Sequence, residues 1–561
     1  MLRFSLSFVI ALAAVAPARA QPGEGGAAPS ESPRPAAPPS EAATERAAVS
    51  SADGAPSDSP IAREGARDPA PSELEAERAA TERAASTRPA STRPASTRPA
   101  STRPAATRDP DYLRAFFEEV LFLAGGTAWY WIEKDDNSVD WDYDAWAQRF
   151  EREAFRFDNN RFAINWVFHP FSGSAFHGFA RANDLSVGAA FLYGFFTSFA
   201  WEWLLEFRER VSINDQIATP LPGLAIGEFF IKLGRYLHAR ALTPARRAAS
   251  WTLGFPVQMH RAWDDRAPDP DERAQLHGAF RVAYGATLAR GDTGQRFGLH
   301  TMAFEGRLAD LRGYLRPGRR RTFFADAELA DLRARATRGP GGGGFELEAD
   351  TVVLGLHAQD LEDAPGGLRG AAGLVGASIA YRYARQSYAD WTDRLGVVHL
   401  PGLALEGHLF GGPVALHLGA RVHADFASVH AKAPFDAWFA AQPEGTRAKT
   451  ILEREGYYFG WGLSTESRVA LALGPVELGV RTRFGSWWSD EGLDRSQEEV
   501  NADVRVRDRA LDVATWARLD LPRGLQLEAR LDLTRRDTDV AASVRTSRTL
   551  RRATLLLAWR R

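Results

Sequence analysis

Leu525-Gln526-Leu527-Glu528-Ala529-Arg530-Leu531-Asp532-Leu533-Thr534 alternates without a break between apolar and polar residues. Successive side chains of a β-strand point to opposite faces, so this stretch has one greasy face and one charged face. Val414, Leu416, Leu418, Ala420, Val422, Ala424 and Phe426 form another apolar face, opposite His417, Arg421, His423 and Asp425. Val476, Leu478, Val480 and Phe484 repeat the idea, as do Phe345, Leu347, Ala349 and Val353. Turn signals separate the runs: Gly411-Gly412-Pro413, Gly474-Pro475, Arg523-Gly524 and Pro340 to Gly344. Several runs exceed about nine residues, the length that crosses a bilayer when tilted. Strands of soluble sheets are shorter, about 5–6 residues. From Glu272 to the end the pattern predicts a mainly β fold with a helical module: a transmembrane antiparallel β-barrel of about twelve strands, apolar outside, polar within, and closed so that no edge is left unpaired.

Aromatics near the strand ends (Tyr457, Tyr458, Phe459, Trp461, Trp487 and Trp488) are expected to form an interfacial girdle. The terminal run Leu555 to Trp559 fits a last barrel strand with an aromatic near its end, although the final residue is Arg561. The alternative for the same pattern is a large soluble secreted β-protein.

The 561 residues carry 69 Lys plus Arg against 71 Asp plus Glu, a net charge of −2. That balance is not the footprint of a nucleic-acid binder. The absence of cysteine excludes a disulfide scaffold, a thiolate metal site and a cysteine nucleophile. Arg3, the apolar run Phe4–Val15 and Ala18-Arg19-Ala20 predict a signal peptide over residues 1–20, and hence export to the outer membrane. Residues 21–108 contain no Phe, Trp or Tyr. Such a segment cannot bury enough apolar area to offset the entropy of ordering, so a disordered linker is expected. It ends in Ser-Thr-Arg-Pro-Ala repeats, which place Arg88, Arg93, Arg98 and Arg103 before proline. A solvated periplasmic spacer is the first reading. A basic tether touching peptidoglycan or lipopolysaccharide is the second.

Residues 109–250 do not alternate and are expected to be helical, with the barrel at 251–561. Tyr112 to Ile132 reads as an apolar helix, with a break at Gly125-Gly126. Phe162 to Ala180 and Ser186 to Ala200 carry no Asp, Glu or Lys and no Arg. The uncharged run Leu185–Ala200 measures about 24 Å as a helix, which is short for a membrane span. These helices are expected to be buried in protein, plugging the barrel lumen or capping it from the periplasm.

The same region holds a series of spaced motifs: His169-Pro170 with Gly173-Ser174, Ala180-Arg181 with Asn183, Trp201-Glu202 with Glu206, Ser212-Ile213-Asn214-Asp215, and Gly223 with Gly227-Glu228. Together they resemble a bacterial envelope family known as a domain of unknown function, over about residues 160–235. The resemblance implies an exported protein with a helical module and implies no particular activity.

Glu202 and Glu206 are four apart and share one helix face. Gly223 and Gly227 offer a small face to another helix, so two apolar helices carrying carboxylates are expected to meet. One reading is a polar site in an apolar pocket, with His169 as general acid or base, Glu202, Glu206, Asp215 and Glu228 orienting it, and Ser174 as nucleophile of an enzyme acting on lipid or lipopolysaccharide. The other, which weighs more, is a satisfied buried network with Ser212 and Asp215 capping a helix. The first functional expectation is therefore a non-enzymatic outer-membrane barrel whose helices bind or gate a small or lipidic ligand, with outer-membrane lipid as partner. No metal or cofactor motif is present: no His-x-x-x-His pair sits beside a helical acid, and there is no nucleophile elbow, phosphate loop or dinucleotide fingerprint.

Overall fold

The computed structural model describes residues 109–133, 149–150, 155–206, 210–239, 243–266, 275–388, 391–490 and 500–561. The predicted signal peptide and the repeat-bearing spacer lie outside them.

Thirteen strands form one sheet: β3 (His277–Arg290), β4 (Arg296–Ala309), β5 (Gly318–Phe324), β6 (Leu329–Gly339), β7 (Gly342–Ala364), β8 (Gly367–Tyr388), β9 (Trp391–Gly411), β10 (Val414–His430), β11 (Tyr457–Leu473), β12 (Val476–Ser489), β13 (Val506–Asp520), β14 (Leu525–Val540) and β15 (Val544–Arg560). A further two-stranded pair, β1 (Phe155–Arg156) and β2 (Val211–Ser212), is parallel. In the large sheet neighbours are antiparallel, β15 returns to β3, and β7 pairs with β8, so twelve strands close a ring. The thirteenth, β5, continues the line of β6 along β7. Residues 325–328 interrupt that line. Opposite the gap, Val353 is an extra residue in β7, and its carbonyl accepts the Ala327 N–H at 2.9 Å. A strand break is thus matched to a bulge. Tight turns such as Gly412-Pro413 and Gly474-Pro475 join strands at the end where β15 finishes, while the opposite end carries the long connections 431–456 and 490–505.

The alternation divides the wall into an apolar outer face and a charged inner one. Leu531 is 61% exposed on the outer wall, and its neighbour Asp532 is 7% exposed on the inner one. Leu463, Leu478, Phe484, Leu555 and Met302 continue the exposed outer belt. The inside is a lattice of ion pairs. Glu348 takes Arg483 at 2.7 Å and Arg481 at 2.5 Å, and Arg307 takes Asp331 at 2.6 Å and Glu406 at 2.9 Å. Arg518 takes Glu528 at 2.6 Å and Glu305 at 3.1 Å. The cavities among these side chains measure only about 30 and 70 Å³.

Both mouths are filled from the barrel's own connections. At the long-loop end, α8 (Lys432–Phe439) and α9 (Thr450–Glu455) place Phe435, Trp438 and Leu452 among inward residues of seven strands, including Ala384, Val429 and Val540. At the other end, Leu311 and Tyr314 of the turn before β5 pack with Leu374 and Ala404. The Gln359 amide anchors that turn, accepting from Leu315 N at 3.0 Å and donating to Arg316 O at 2.6 Å.

The helical module comprises α1 (Tyr112–Glu133), α2 (His169–Ala182), α3 (Val187–Ala200), α4 (Ile213–Ala218), α5 (Pro220–His238), α6 (Pro244–Leu253) and α7 (Phe255–Trp263), with π-helical turns at Ile164–Phe168 and Trp201–Leu205. Helices run past the expected boundary at 250, and α1 continues unbroken through Gly125-Gly126. The expectation of a plug or cap is corrected. Helix α5 packs on Leu332, Leu347 and Ala349, the outward neighbours of the luminal Arg333 and Glu348, and Trp166 stacks on the outward Tyr381 and Phe426. The module therefore clasps the outer wall from β3 to β11. The reason is volume: long Arg and Glu side chains fill the bore, whereas the outward faces of β4, β6, β7 and β8 offer apolar area.

The aromatic girdle is corrected for the same reason. Tyr457 and Phe459 are buried under the module, and Trp487 points inward, its Nε1 donating to Asp425 at 2.9 Å. Trp488 alone of the six is exposed above a third.

Candidate functional site

The residues singled out by motif fall into two groups. In the first, the β1–β2 pair sets Asp158 beside Asn214. Asn214 Oδ1 accepts from Asp158 N at 3.0 Å and from Ser212 Oγ at 2.9 Å, and its Nδ2 donates to Asp215 Oδ1 at 2.8 Å. Ser212 N donates to Glu202 Oε2 at 3.0 Å. Asp158 also accepts from Asn165 at 2.7 Å and Asn160 at 2.6 Å. His169 Nε2 stands 3.4 Å from Asp215 Oδ1 and, with its side chain 19% exposed, opens the cluster to the surroundings. The two π-helical turns carry Asn165 and Glu202 into it, an irregularity that often marks functional positions. Arg149 clamps this end of the module by donating to the carbonyls of Glu202 at 2.7 Å and Glu206 at 2.5 Å.

Burial raises the Glu202 carboxyl well above its ordinary value of 4.5, and the neighbouring Glu206, Asp215 and Asp158 push the same way. The folded state therefore holds a proton that the unfolded chain releases. Stability from this group is full at low pH and falls as pH rises past the ordinary carboxylate range. Glu202→Gln keeps an acceptor for Ser212 N and removes the charge. Thermal unfolding of the full chain in detergent at about pH 4 and about pH 8 should find the variant at least as stable as the parent at the higher pH, with the difference vanishing at the lower. A variant less stable at both would mean that the carboxylate is held ionised.

In the second group Glu228, fully buried, meets Arg181 Nε at 2.6 Å, Lys232 Nζ at 2.7 Å and His177 Nε2 at 2.8 Å. Arg181 also pairs with Asp326 at 3.0 Å, and Asp326 accepts from Val187 N at 2.7 Å. Asp326 lies in the strand break, so the interruption turns a carboxylate outward to hold the module. The small face of Gly223 meets α2, not a second acidic helix. A Cβ on Gly173 would stand 1.9 Å from the Thr219 carbonyl oxygen, so backbone touches backbone there.

Of the six sequence candidates, His169, Glu202 and Asp215 converge, with Glu206 at their edge. Glu228 sits in the separate ion-pair cluster. Ser174 is in neither: its hydroxyl donates to Phe171 O at 2.9 Å, inside α2. A nucleophile held in its own helix turn and away from His169 does not make a Ser–His pair, and the expectation for Ser174 is corrected. Sequence reasoning missed Asp158, Asn165, His177, Lys232 and Asp326. Lys232 carried a signal, lying four residues beyond Glu228 on one helix face. Asp326 carried none. Among the described residues no group of three or more His, Asp or Glu is placed to hold a metal ion.

The fold and this geometry define a closed antiparallel twelve-strand β-barrel bearing a helical module. Residues 154–257 match the family model of a domain of unknown function, DUF3943, in agreement with the motif resemblance. Among solved structures, the translocator domain of the autotransporter NalP from Neisseria meningitidis matches at 11% identity and a TM-score of 0.21, covering 50% of this chain and 88% of that one. The outer membrane protein Omp33 of Acinetobacter baumannii matches at 9% identity and a TM-score of 0.18, covering 51% and 100%. A porin matches at 9% identity and a TM-score of 0.17, covering 51% and 100%. No curated protein matches the chain.

Proposed function

We propose that the chain is an outer-membrane β-barrel of a Gram-negative envelope that does not conduct, and that carries its helical module on one flank to bind a lipidic ligand. The observation that carries the reading is the division of surfaces: an apolar belt on the uncovered outer wall, and a lumen cross-linked by Arg–Glu pairs with both mouths filled. A soluble secreted protein would leave that belt in water, at a cost of about 25 cal/mol per Å². The enzyme reading keeps His169 with Asp215 and Glu202 but loses its nucleophile.

Fractionation of cells expressing the full chain should recover it with the outer membrane. The purified protein in a planar bilayer should then give no steady conductance at low voltage. Porin-like open steps would overturn the closed-barrel reading, and recovery in the soluble fraction would overturn the membrane one.

A further inference from the structure

Helix α1 is 22 residues long, about 33 Å, and its sequence from Val120 to Ile132 carries no charge. One stripe of it, including Ala115, Glu119 and Tyr130, is buried in the module. The opposite face presents Leu113, Phe117, Val120 and Leu121, with Leu121 74% exposed, and Phe116 and Trp129 are exposed on its flanks. Helix α3 adds Leu192, Phe196 and Phe199, with Phe196 61% exposed. A helix that is apolar on both its buried and its free side does not belong against water.

We propose that this outer face of α1 and α3 lies against the acyl chains of the bilayer and continues the barrel's own lipid belt. The proposal rests on the membrane reading given above. Continuity is the ground for choosing lipid as occupant. On β4 the module covers Phe304 while Met302, two residues along the same face, is 61% exposed. On β11 it covers Phe459 while Leu463 is 55% exposed, and on β10 it covers Phe426 while Val422 is 49% exposed. No polar border separates the covered sector from the bare belt at these edges.

The polar groups of the layer gather at one end. Arg114 pairs with Glu118 at 3.1 Å and Asp264 at 2.9 Å, and Arg266 reaches Asp264 and Asp184. A charged edge on an apolar slab is what an interfacial boundary requires. Glu119, the next residue along α1 from Glu118, faces away from the free side and bonds the buried Thr197 hydroxyl.

The chain has no cysteine, so single-cysteine variants can be spin-labelled without background. Leu121→Cys and Phe196→Cys report the module, Leu531→Cys the barrel belt, and Arg545→Cys, in an exposed turn-proximal position, the aqueous reference. The full-length variants are placed in vesicles of phosphatidylethanolamine and phosphatidylglycerol, and accessibility to oxygen and to a water-soluble nickel chelate is measured. The oxygen-to-nickel ratio at Leu121 and Phe196 should match that at Leu531 and exceed that at Arg545 severalfold. Nickel access at Leu121 and Phe196, with Leu531 still in lipid, would overturn the proposal and leave the membrane reading standing. Access by neither reagent would mean that protein covers the face, and would overturn it too. Nickel access at Leu531 would remove the membrane reading itself.

Discussion

Arg421→Met is expected to cost about 3–5 kcal/mol of barrel stability, the range for removing one partner from a buried ion pair. Arg421 stands 2.7 Å from Asp350 and 3.1 Å from Glu406, with Asp331 at 3.6 Å and Glu466 at 3.9 Å. Glu406 and Asp331 keep Arg307, and Glu466 keeps Arg481 and Arg483. Asp350 has no such second cation within 4 Å among the ion pairs described, so the loss falls mainly on it. Urea unfolding in lipid vesicles, followed by tryptophan fluorescence, measures the cost. Adding Asp350→Leu to the variant should recover part of it, because an apolar pair can replace a buried ion pair at little net loss. A single variant within about 1 kcal/mol of the parent, the range of an exposed pair, would show that the lattice is not a structural core.

Glu228→Ala is expected to cost a comparable 3–5 kcal/mol, on the order found for uncompensated buried charge, but in the module instead of the barrel. It leaves Lys232, 1% exposed, with only the longer-range attraction of Glu328, and leaves Arg181 with Asp326 alone. Limited proteolysis should find the module open while the heat-shifted gel mobility of the closed barrel persists. Glu228→Gln, which keeps hydrogen-bonding atoms and loses the charge, should fall between. If both variants resist protease as the parent does, Glu228 is not what holds α2, α5 and the strand break together.

The barrel was legible because period-two alternation is a local property. Leu525 to Thr534 states both faces of β14 without reference to any other strand, and the count of such runs reached the twelve that close the ring. The placement of the helices was not legible. Alternation says which residues point out, not what they meet. The outward Leu332, Leu347 and Tyr381 read the same whether lipid or helix covers them.

In the candidate site, His169, Glu202 and Asp215 were legible as chemistry on spaced motifs, and the structure brings them together. The pairing of Glu228 with His177 and Arg181 needed the close approach of α2 and α5, fixed by Gly173 and Gly223. Asp158 enters through a two-residue strand pair too short to leave a pattern. Asp326 needed a gap in one strand and a surplus residue in its neighbour.

A cylinder clad along one side has lost the rotational equivalence of its wall. Viewed down the bore, it has a front of helices and a back of naked sheet from β12 to β15. A molecule that approaches the wall meets one or the other, so encounters with it sort by compass direction.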